Sequence, residues 1–221
     1  MDSDDTVNST YLKELLTHCT EGGAAMCNLQ QFNKSFFEAR DVFIRNLLID
    51  NIGGQLWRFM FHKSLWENIR MPESRYAEDA MVIHKVLNKS NIIEFIDEEL
   101  YLYNSTNENS SSNNKKNLLK NSLDRSIMFF ERLKWANEQG YFECEETILC
   151  KATGFAIGAI GCYKAYDYKI EDIDLICNNL NKYFSKIMKN KQISFSRKIA
   201  LIIIKISPDL YYGVRGLWKR K

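Results

Sequence analysis

At Tyr76-Ala77-Glu78-Asp79 an acidic pair opens a predicted helix. Apolar residues follow the pair at helical spacing, and the pattern runs to about residue 89. Carboxylates are favourable at the start of a helix, because the free N–H groups and the helix dipole stabilise negative charge there. Capping is therefore the simplest interpretation of Glu78 and Asp79. A second acidic cluster, at residues 2–5, makes that interpretation insufficient.

The segments on either side of this helix mix helical and extended patterns. Upstream, residues 55–66 are rich in aromatic and apolar side chains, and we expect a strongly apolar helix there. Downstream, residues 91–97 and 99–103 combine β-branched and aromatic residues and are predicted to be short strands. Nearer the start, a helix from Tyr11 precedes a short buried strand at 24–29, although periodicity alone also allows a helix in that stretch.

The second half of the chain has a different composition. A run of Asn and Ser at residues 104–114 predicts a polar loop that divides the chain. After it, apolar residues recur at helical spacing, and we expect successive amphipathic helices. The last segment, residues 195–221, interleaves aromatic side chains with Arg215 and a basic end. This combination suits the headgroup layer of an anionic membrane, and the alternative is a terminal helix packed onto the body.

Length, charge and cysteine spacing restrict the class of protein. The 221 residues suffice for one large domain or for a domain with a helical appendage. The net charge of +2 gives no global argument for nucleic-acid binding, so we expect no nucleic-acid partner. The six cysteines lack the spacing of a zinc site or a disulfide scaffold, which favours reduced thiols in a cytoplasmic protein. No apolar run approaches the roughly 20 residues that cross a bilayer.

The acidic cluster contains a D-x-D pattern, formed by Asp2, Ser3 and Asp4 and followed directly by Asp5. Carboxylates that converge on a hard divalent cation allow the cation to bridge diphosphate oxygens and to stabilise the leaving charge. Taken alone the pattern is weak, because an acidic N-terminus is usually only solvated. Its value depends on the motifs that accompany it further along the chain.

The order of these features resembles bacterial GT-A type glycosyltransferases, most closely the family-two enzymes that build capsule, lipopolysaccharide and exopolysaccharide. That order is an acidic cluster, a helix, a short strand, Trp57 with Arg58, Tyr76-x-Glu78-Asp79, then Tyr101 and Tyr103 before a serine-rich loop. The resemblance is more specific in its order than in any single motif. It implies an α/β fold, with a partial GT-A domain at residues 1–112 and a mostly helical region at residues 113–221.

The resemblance implies donor and metal roles for the acidic cluster at residues 2–5. Asp4 matches the metal-binding carboxylate of the family's D-x-D. Asp2 would lie near the donor's ribose or the metal, and Asp5 would support the pair. The implied cofactor is Mn²⁺ or Mg²⁺, and the implied donor is a nucleotide-diphospho-sugar.

The same resemblance assigns the acidic pair Glu78 and Asp79 and the aromatic segment to the acceptor side. Asp79 matches the catalytic base of the family's E-D pair, and Glu78 beside it would contact or position acceptor hydroxyls. Trp57 lies where the family places an aromatic residue near the sugar acceptor, and Arg58 would contact phosphate or acceptor. An inverting transfer needs a carboxylate to take the acceptor's proton and a metal opposite to hold the departing diphosphate. Core packing remains the alternative for Trp57.

The chain departs from the family's pattern in three places. Many relatives carry a lysine where Phe59 stands, and an arginine where Asn104 stands. Relatives also have strands and a nucleotide-binding loop before the D-x-D. The resemblance therefore implies the C-terminal portion of such an enzyme, a truncated or split product that is inactive unless a partner supplies the other half.

The implied function is inverting, metal-dependent transfer of a sugar to a glycan or lipid-linked acceptor in cell-surface polysaccharide synthesis. The implied location is cytoplasmic, with peripheral binding to the inner face of the cell membrane left open. One alternative is a non-catalytic truncated remnant, or a helical module that binds a partner or a membrane. Another is an all-helical binding protein unrelated to sugars.

Overall fold

The computed structural model describes residues 5–73, 75–104, 121–166 and 168–218, with the backbone alone at residues 31 and 216–218. The chain divides into two compact units, Met1–Glu108 and Asn109–Lys221. The first unit mixes strands with helices and the second is helical in its described part. The protein is therefore a mixed α/β chain with a helical C-terminal region, which excludes the all-helical alternative. The predicted polar loop at 104–114 lies outside the described residues except for Asn104.

A three-stranded mixed sheet forms the centre of the first unit. Its central strand β2 (Ala24–Met26) pairs in parallel with β4 (Ile93–Phe95) and antiparallel with β3 (Phe59–Phe61). A separate ladder pairs β1 (Thr6–Val7) antiparallel with β5 (Tyr101–Leu102). The predicted strands at 24–29, 91–97 and 99–103 are thus confirmed, with narrower bounds.

Helices cover both faces of the three-stranded sheet. Successive side chains of a strand point to opposite faces, so each face carries apolar side chains that a helix can cover. On one face, Ala24 and Met26 join a hydrophobic cluster with residues of α2 (Arg40–Leu48) and α3 (Glu78–Asn88). On the other face, Ala25 and Cys27 join a smaller cluster with residues of α1 (Tyr11–His18). The helix predicted to start at Glu78 is confirmed, and it begins directly after Ala77, which has a left-handed φ of 59°.

The helix predicted for residues 55–66 is wrong. The segment forms a 3₁₀ turn at Leu56–Arg58, then strand β3, then a second 3₁₀ turn at Lys63–Trp66. Strand β2 offers an edge of backbone groups, and the amide of His62 extends the ladder by donating to the carbonyl of Gly23 at 3.0 Å. Phe59 and Phe61 pack into one cluster while Met60 packs into the other, which only an extended segment allows. Pairing with a distant strand decided the structure of this apolar run.

The second unit is built from six helices in the part that the structure describes. They are α4 (Ser122–Gln139), α5 (Glu145–Ile160), α6 (Ile170–Lys182), α7 (Phe184–Lys189), α8 (Phe195–Ile206) and α9 (Pro208–Trp218). Gly140 ends α4 as predicted, and its φ of 85° is the left-handed conformation that glycine adopts without strain. Further 3₁₀ turns lie at Leu29–Gln31, Lys34–Phe37, Phe142–Cys144 and Tyr163–Ala165.

Two predictions about the whole chain concern its thiols and its apolar helices. All six cysteines are free thiols, in keeping with the expectation of reduced cysteines. Among the described residues, none of the helices combines the length and the apolar character that crossing a membrane requires.

Tyr211 and Arg215 of the terminal segment take part in packing within the second unit, whereas the basic end at residues 219–221 lies outside the described residues. Tyr211 is buried, and Arg215 Nη1 donates to the carbonyl oxygens of Gly158 at 2.9 Å and Ile157 at 3.4 Å, at the end of α5. A Cβ atom at Gly161 would meet this guanidinium, so Arg215 lies close against the backbone that follows α5. A cation at the C-terminus of a helix also neutralises its exposed carbonyls. Arg215 therefore stabilises the fold and is not an exposed membrane contact.

Candidate functional site

Asp5 anchors the chain directly after the D-x-D pattern. Its side chain is buried, Oδ2 accepts a hydrogen bond from the Tyr101 hydroxyl at 2.6 Å, and Oδ1 accepts one from the Asn104 amide at 2.8 Å. Because β1 pairs with β5, the residues that follow the acidic cluster are held beside Tyr101. These hydrogen bonds hold Asp5 in the fold, and its expected support of the D-x-D pair stays a prediction. Asp2 and Asp4 lie outside the described residues.

Three aromatic rings lie together on this side of the unit. The indole of Trp57 stacks on Tyr101 with 4.2 Å between ring centroids, and it is parallel to Tyr103 at 6.3 Å. The Tyr11 hydroxyl donates to the backbone oxygen of Trp57 at 2.6 Å, which fixes the backbone under the ring. Trp57 is half-buried and Tyr103 is exposed. The core-packing alternative for Trp57 therefore accounts for only part of its surface.

Arg58 is buried between two of the aromatic side chains. Its guanidinium carbon lies 4.6 Å from the ring centroid of Trp57 and 4.7 Å from that of Phe32. Burial lowers the pKa of Arg58 to about 10, so the group stays cationic at neutral pH. Burial also raises the pKa of the nearby Cys27 thiol to about 11, and the charge of Arg58 opposes that rise. The arrangement stabilises the Trp57 ring by cation–π contact, and the predicted contact of Arg58 with phosphate or acceptor stays a prediction.

Asn28 links these residues and was missed in the sequence. Its Nδ2 donates to the Tyr101 carbonyl at 2.6 Å, and its Oδ1 accepts the amides of Leu100 at 3.0 Å and Tyr101 at 3.1 Å. Its own carbonyl accepts from Arg58 Nη1 at 3.3 Å. A signal was present, because Asn28 lies two residues after strand β2 and Asn tolerates the left-handed φ of 62° found there.

Glu78 and Asp79 occupy the first turn of α3. Glu78 is exposed and Asp79 is half-buried, and Asp79 Oδ1 accepts the Ala80 amide at 2.6 Å. The carboxylate thus contacts a free amide of the first turn, as the capping interpretation expects. The glycine pair before Trp57 packs against the same turn, since a Cβ at Gly54 would lie 3.2 Å from Cα of Ala80. The segments that carry Asp79 and Trp57 therefore meet.

The described carboxylates do not by themselves form a metal site. Among residues 5–73, 75–104, 121–166 and 168–218, there is no group of three or more His, Cys, Asp or Glu side chains that could hold a metal ion. Asp5 is already engaged by Tyr101 and Asn104. A cation at this end of the unit would need oxygen ligands from Asp2 and Asp4, and carboxylates are the donors that Mn²⁺ and Mg²⁺ prefer.

Comparison of the chain with protein-family models, with curated proteins and with solved structures finds no match. The chemistry of the site must therefore be argued from its own residues. The first unit contains three features of interest. They are the segment that directly follows the acidic cluster, a partly exposed aromatic surface, and a carboxylate in the first turn of a helix. Such a set can bind a polar ligand with an apolar face and can remove a proton from a hydroxyl group.

Proposed function

We propose that the chain is a metal-dependent glycosyltransferase that moves a sugar from a nucleotide-diphospho-sugar to a glycan or lipid-linked acceptor in cell-surface polysaccharide synthesis. One observation supports this most strongly. Asp5, the last residue of the acidic cluster, is hydrogen-bonded to Tyr101, and Tyr101 stacks on Trp57. The residue that directly follows the expected donor residues is thus linked through Tyr101 to the expected acceptor residue.

The proposal gives each polar group of the site a separate task. Asp2 and Asp4 would hold Mn²⁺ or Mg²⁺, which when bound supplies positive charge for the departing diphosphate. Asp5, fixed by Tyr101 and Asn104, would keep the acidic cluster in place. Carboxylates that are already held in position lower the entropy cost of bringing the metal and the donor into the reactive geometry.

The acceptor side of the proposal rests on Asp79 and Trp57. The exposed part of the Trp57 ring would contact the apolar face of the acceptor sugar, with Glu78 binding or orienting a hydroxyl group. Asp79 would take the proton of the attacking hydroxyl. The first turn of α3 positions Asp79 for this role, with the Ala80 amide donating to its Oδ1 at 2.6 Å.

Titration of the purified chain with UDP and Mn²⁺ by calorimetry tests the donor side. We expect UDP to bind in the presence of Mn²⁺ and not in its absence. Asp4→Ala should lower the affinity at least about tenfold, since even the loss of a residue that only orients a metal ligand weakens metal sites by that amount.

Asp97→Ala is the matched control for this titration. Asp97 carries the same charge in the same unit, but it is exposed and pairs with Lys34 at 3.3 Å, a surface contact that contributes little. We expect its binding curve to equal that of the unmodified chain. Binding of UDP that is equally tight without Mn²⁺ or in Asp4→Ala would disprove the metal site, and no binding by the folded chain would disprove donor binding.

A further inference from the structure

Helix α8 carries apolar side chains that are exposed to solvent. Leu201 and Ile204 are buried, as expected for the inner face of a packed helix. Four other apolar side chains of α8 are exposed: Phe195 at 78%, Ile199 at 40%, Ile202 at 44% and Ile206 at 72%. Their spacing of four, three and four residues places them along a single line on the helix. We call these four residues the α8 stripe.

The charge around the α8 stripe differs from that of the rest of the chain. Residues 183–221 contain ten of the 30 Lys and Arg residues and only one of the 28 Asp and Glu residues. The remaining 182 residues therefore carry 20 basic and 27 acidic side chains, a net charge of −7. Between residues 183 and 208 there is no acidic residue at all. The exposed apolar face thus lies in the most basic part of an otherwise acidic chain.

We propose that the α8 stripe inserts into the surface of a membrane that contains anionic phospholipid, with α8 parallel to the membrane plane. An apolar helix face with flanking basic residues binds such a surface by burying its apolar side chains and by attracting lipid phosphates. Lys198 lies on α8 and Lys191 shortly before it. This inference is independent of the proposed sugar transfer and of the metal site.

A second copy of the chain fits this surface less well. A dimer through the α8 stripe would bring two basic segments together, and residues 183–208 offer no carboxylate to neutralise them. Like charges at an interface weaken association. An anionic lipid surface supplies the missing negative charge and an apolar layer at the same time.

Co-sedimentation of the full chain with phospholipid vesicles tests the proposal. We expect binding to vesicles of phosphatidylcholine with phosphatidylglycerol and little binding to phosphatidylcholine alone. Phe195→Ser combined with Ile206→Ser should lower the affinity by more than about tenfold, because two large apolar side chains no longer leave water. Both positions are exposed, so the variant keeps the fold, which its circular dichroism spectrum checks.

The chain offers a closely matched control in Phe142→Ser combined with Ile170→Ser. Phe142 is 65% exposed and Ile170 is 72% exposed. The control therefore replaces the same two residue types at positions of similar solvent exposure. Each of them is followed directly by an acidic residue, Glu143 and Glu171. We expect this control to bind vesicles like the unmodified chain. Equal losses in both double variants would overturn the assignment to α8.

A charge variant tests the role of the lipid phosphates. Lys191→Gln combined with Lys198→Gln should lower the affinity for anionic vesicles about 30-fold, since each basic residue near such a surface contributes about five- to sixfold. An affinity for anionic vesicles that is unchanged in this variant would overturn the proposal, and so would equal affinity for uncharged vesicles. So would a dimer that Phe195→Ser with Ile206→Ser disrupts, in a chain that does not bind vesicles.

Discussion

Replacing Asp79 with Asn should lower the rate of sugar transfer by about a thousandfold. The substitution keeps the size of the side chain and removes only its capacity to take a proton from the acceptor hydroxyl. Binding of UDP with Mn²⁺ should be unchanged, because the donor residues belong to the other acidic cluster. The measurement is the initial rate of sugar incorporation into a lipid extract, with the purified chain, nucleotide sugars, Mn²⁺ and a cell lysate that can supply the partner half which the resemblance implies, against a blank of lysate alone.

Two controls separate this effect from a loss of helix stability. Asp79→Asn removes a favourable charge from the first turn of α3, which costs about 0.3–1 kcal/mol and should leave the thermal unfolding curve nearly unchanged. Asp97→Asn removes the same charge from an exposed position and should transfer sugar normally. Equal transfer by the Asp79 variant would refute its role as a base. A folded chain without any transfer would favour the non-catalytic alternative.

Asn28→Ala should destabilise the first unit by about 4 kcal/mol or more. The substitution leaves the amides of Leu100 and Tyr101 and the carbonyl of Tyr101 without their side-chain partner in a buried place, at about 1–3 kcal/mol for each buried group left unpaired. It also forces alanine into the left-handed conformation, which costs a further 1–2 kcal/mol or so. Hydrogen exchange of peptides from residues 5–104 measures the free energy of opening of this unit.

Asn68→Ala is the matched control for the backbone term. Asn68 has a φ of 59°, close to that of Asn28, but its side chain is exposed. We expect it to cost only the left-handed strain of about 1–2 kcal/mol. Asn28→Gly should recover that strain and still lose the three hydrogen bonds. If Asn28→Ala and Asn68→Ala cost the same, the hydrogen bonds of Asn28 contribute nothing to stability.

The sequence predicted those elements whose signal is local. The helix from Glu78, the strand at Ala24 and the end of α4 at Gly140 follow from residue spacing, apolar runs and glycine conformation within a few neighbours. In these segments, local preference and tertiary packing agree, which is the usual condition for a correct prediction. The candidate residues Trp57, Glu78 and Asp79 were chosen by the order of motifs along the chain, and their roles stay predictions.

The features that were missed depend on residues far apart in the chain. Strand β3 exists because β2 offers it an edge, and no property of residues 55–66 shows that edge. Asp5 finds its partners at Tyr101 and Asn104, almost the length of the unit away. Arg215 is held by carbonyls at the end of α5, so a basic residue that suggested a membrane contact serves the fold. Long-range pairing of this kind leaves no periodic trace in a single sequence.

Locating the cation in solution tests the proposed metal site without any assumption about the acceptor. Small amounts of Mn²⁺ with UDP, added to the isotope-labelled chain, broaden the NMR signals of nearby amides. We expect the amides of Asp5, Tyr101 and Asn104 to broaden first, because hydrogen bonds hold them together directly after the D-x-D pattern. Unchanged signals at these three amides, with broadening beside the acidic residues of α5 or α6 instead, would contradict the proposed site.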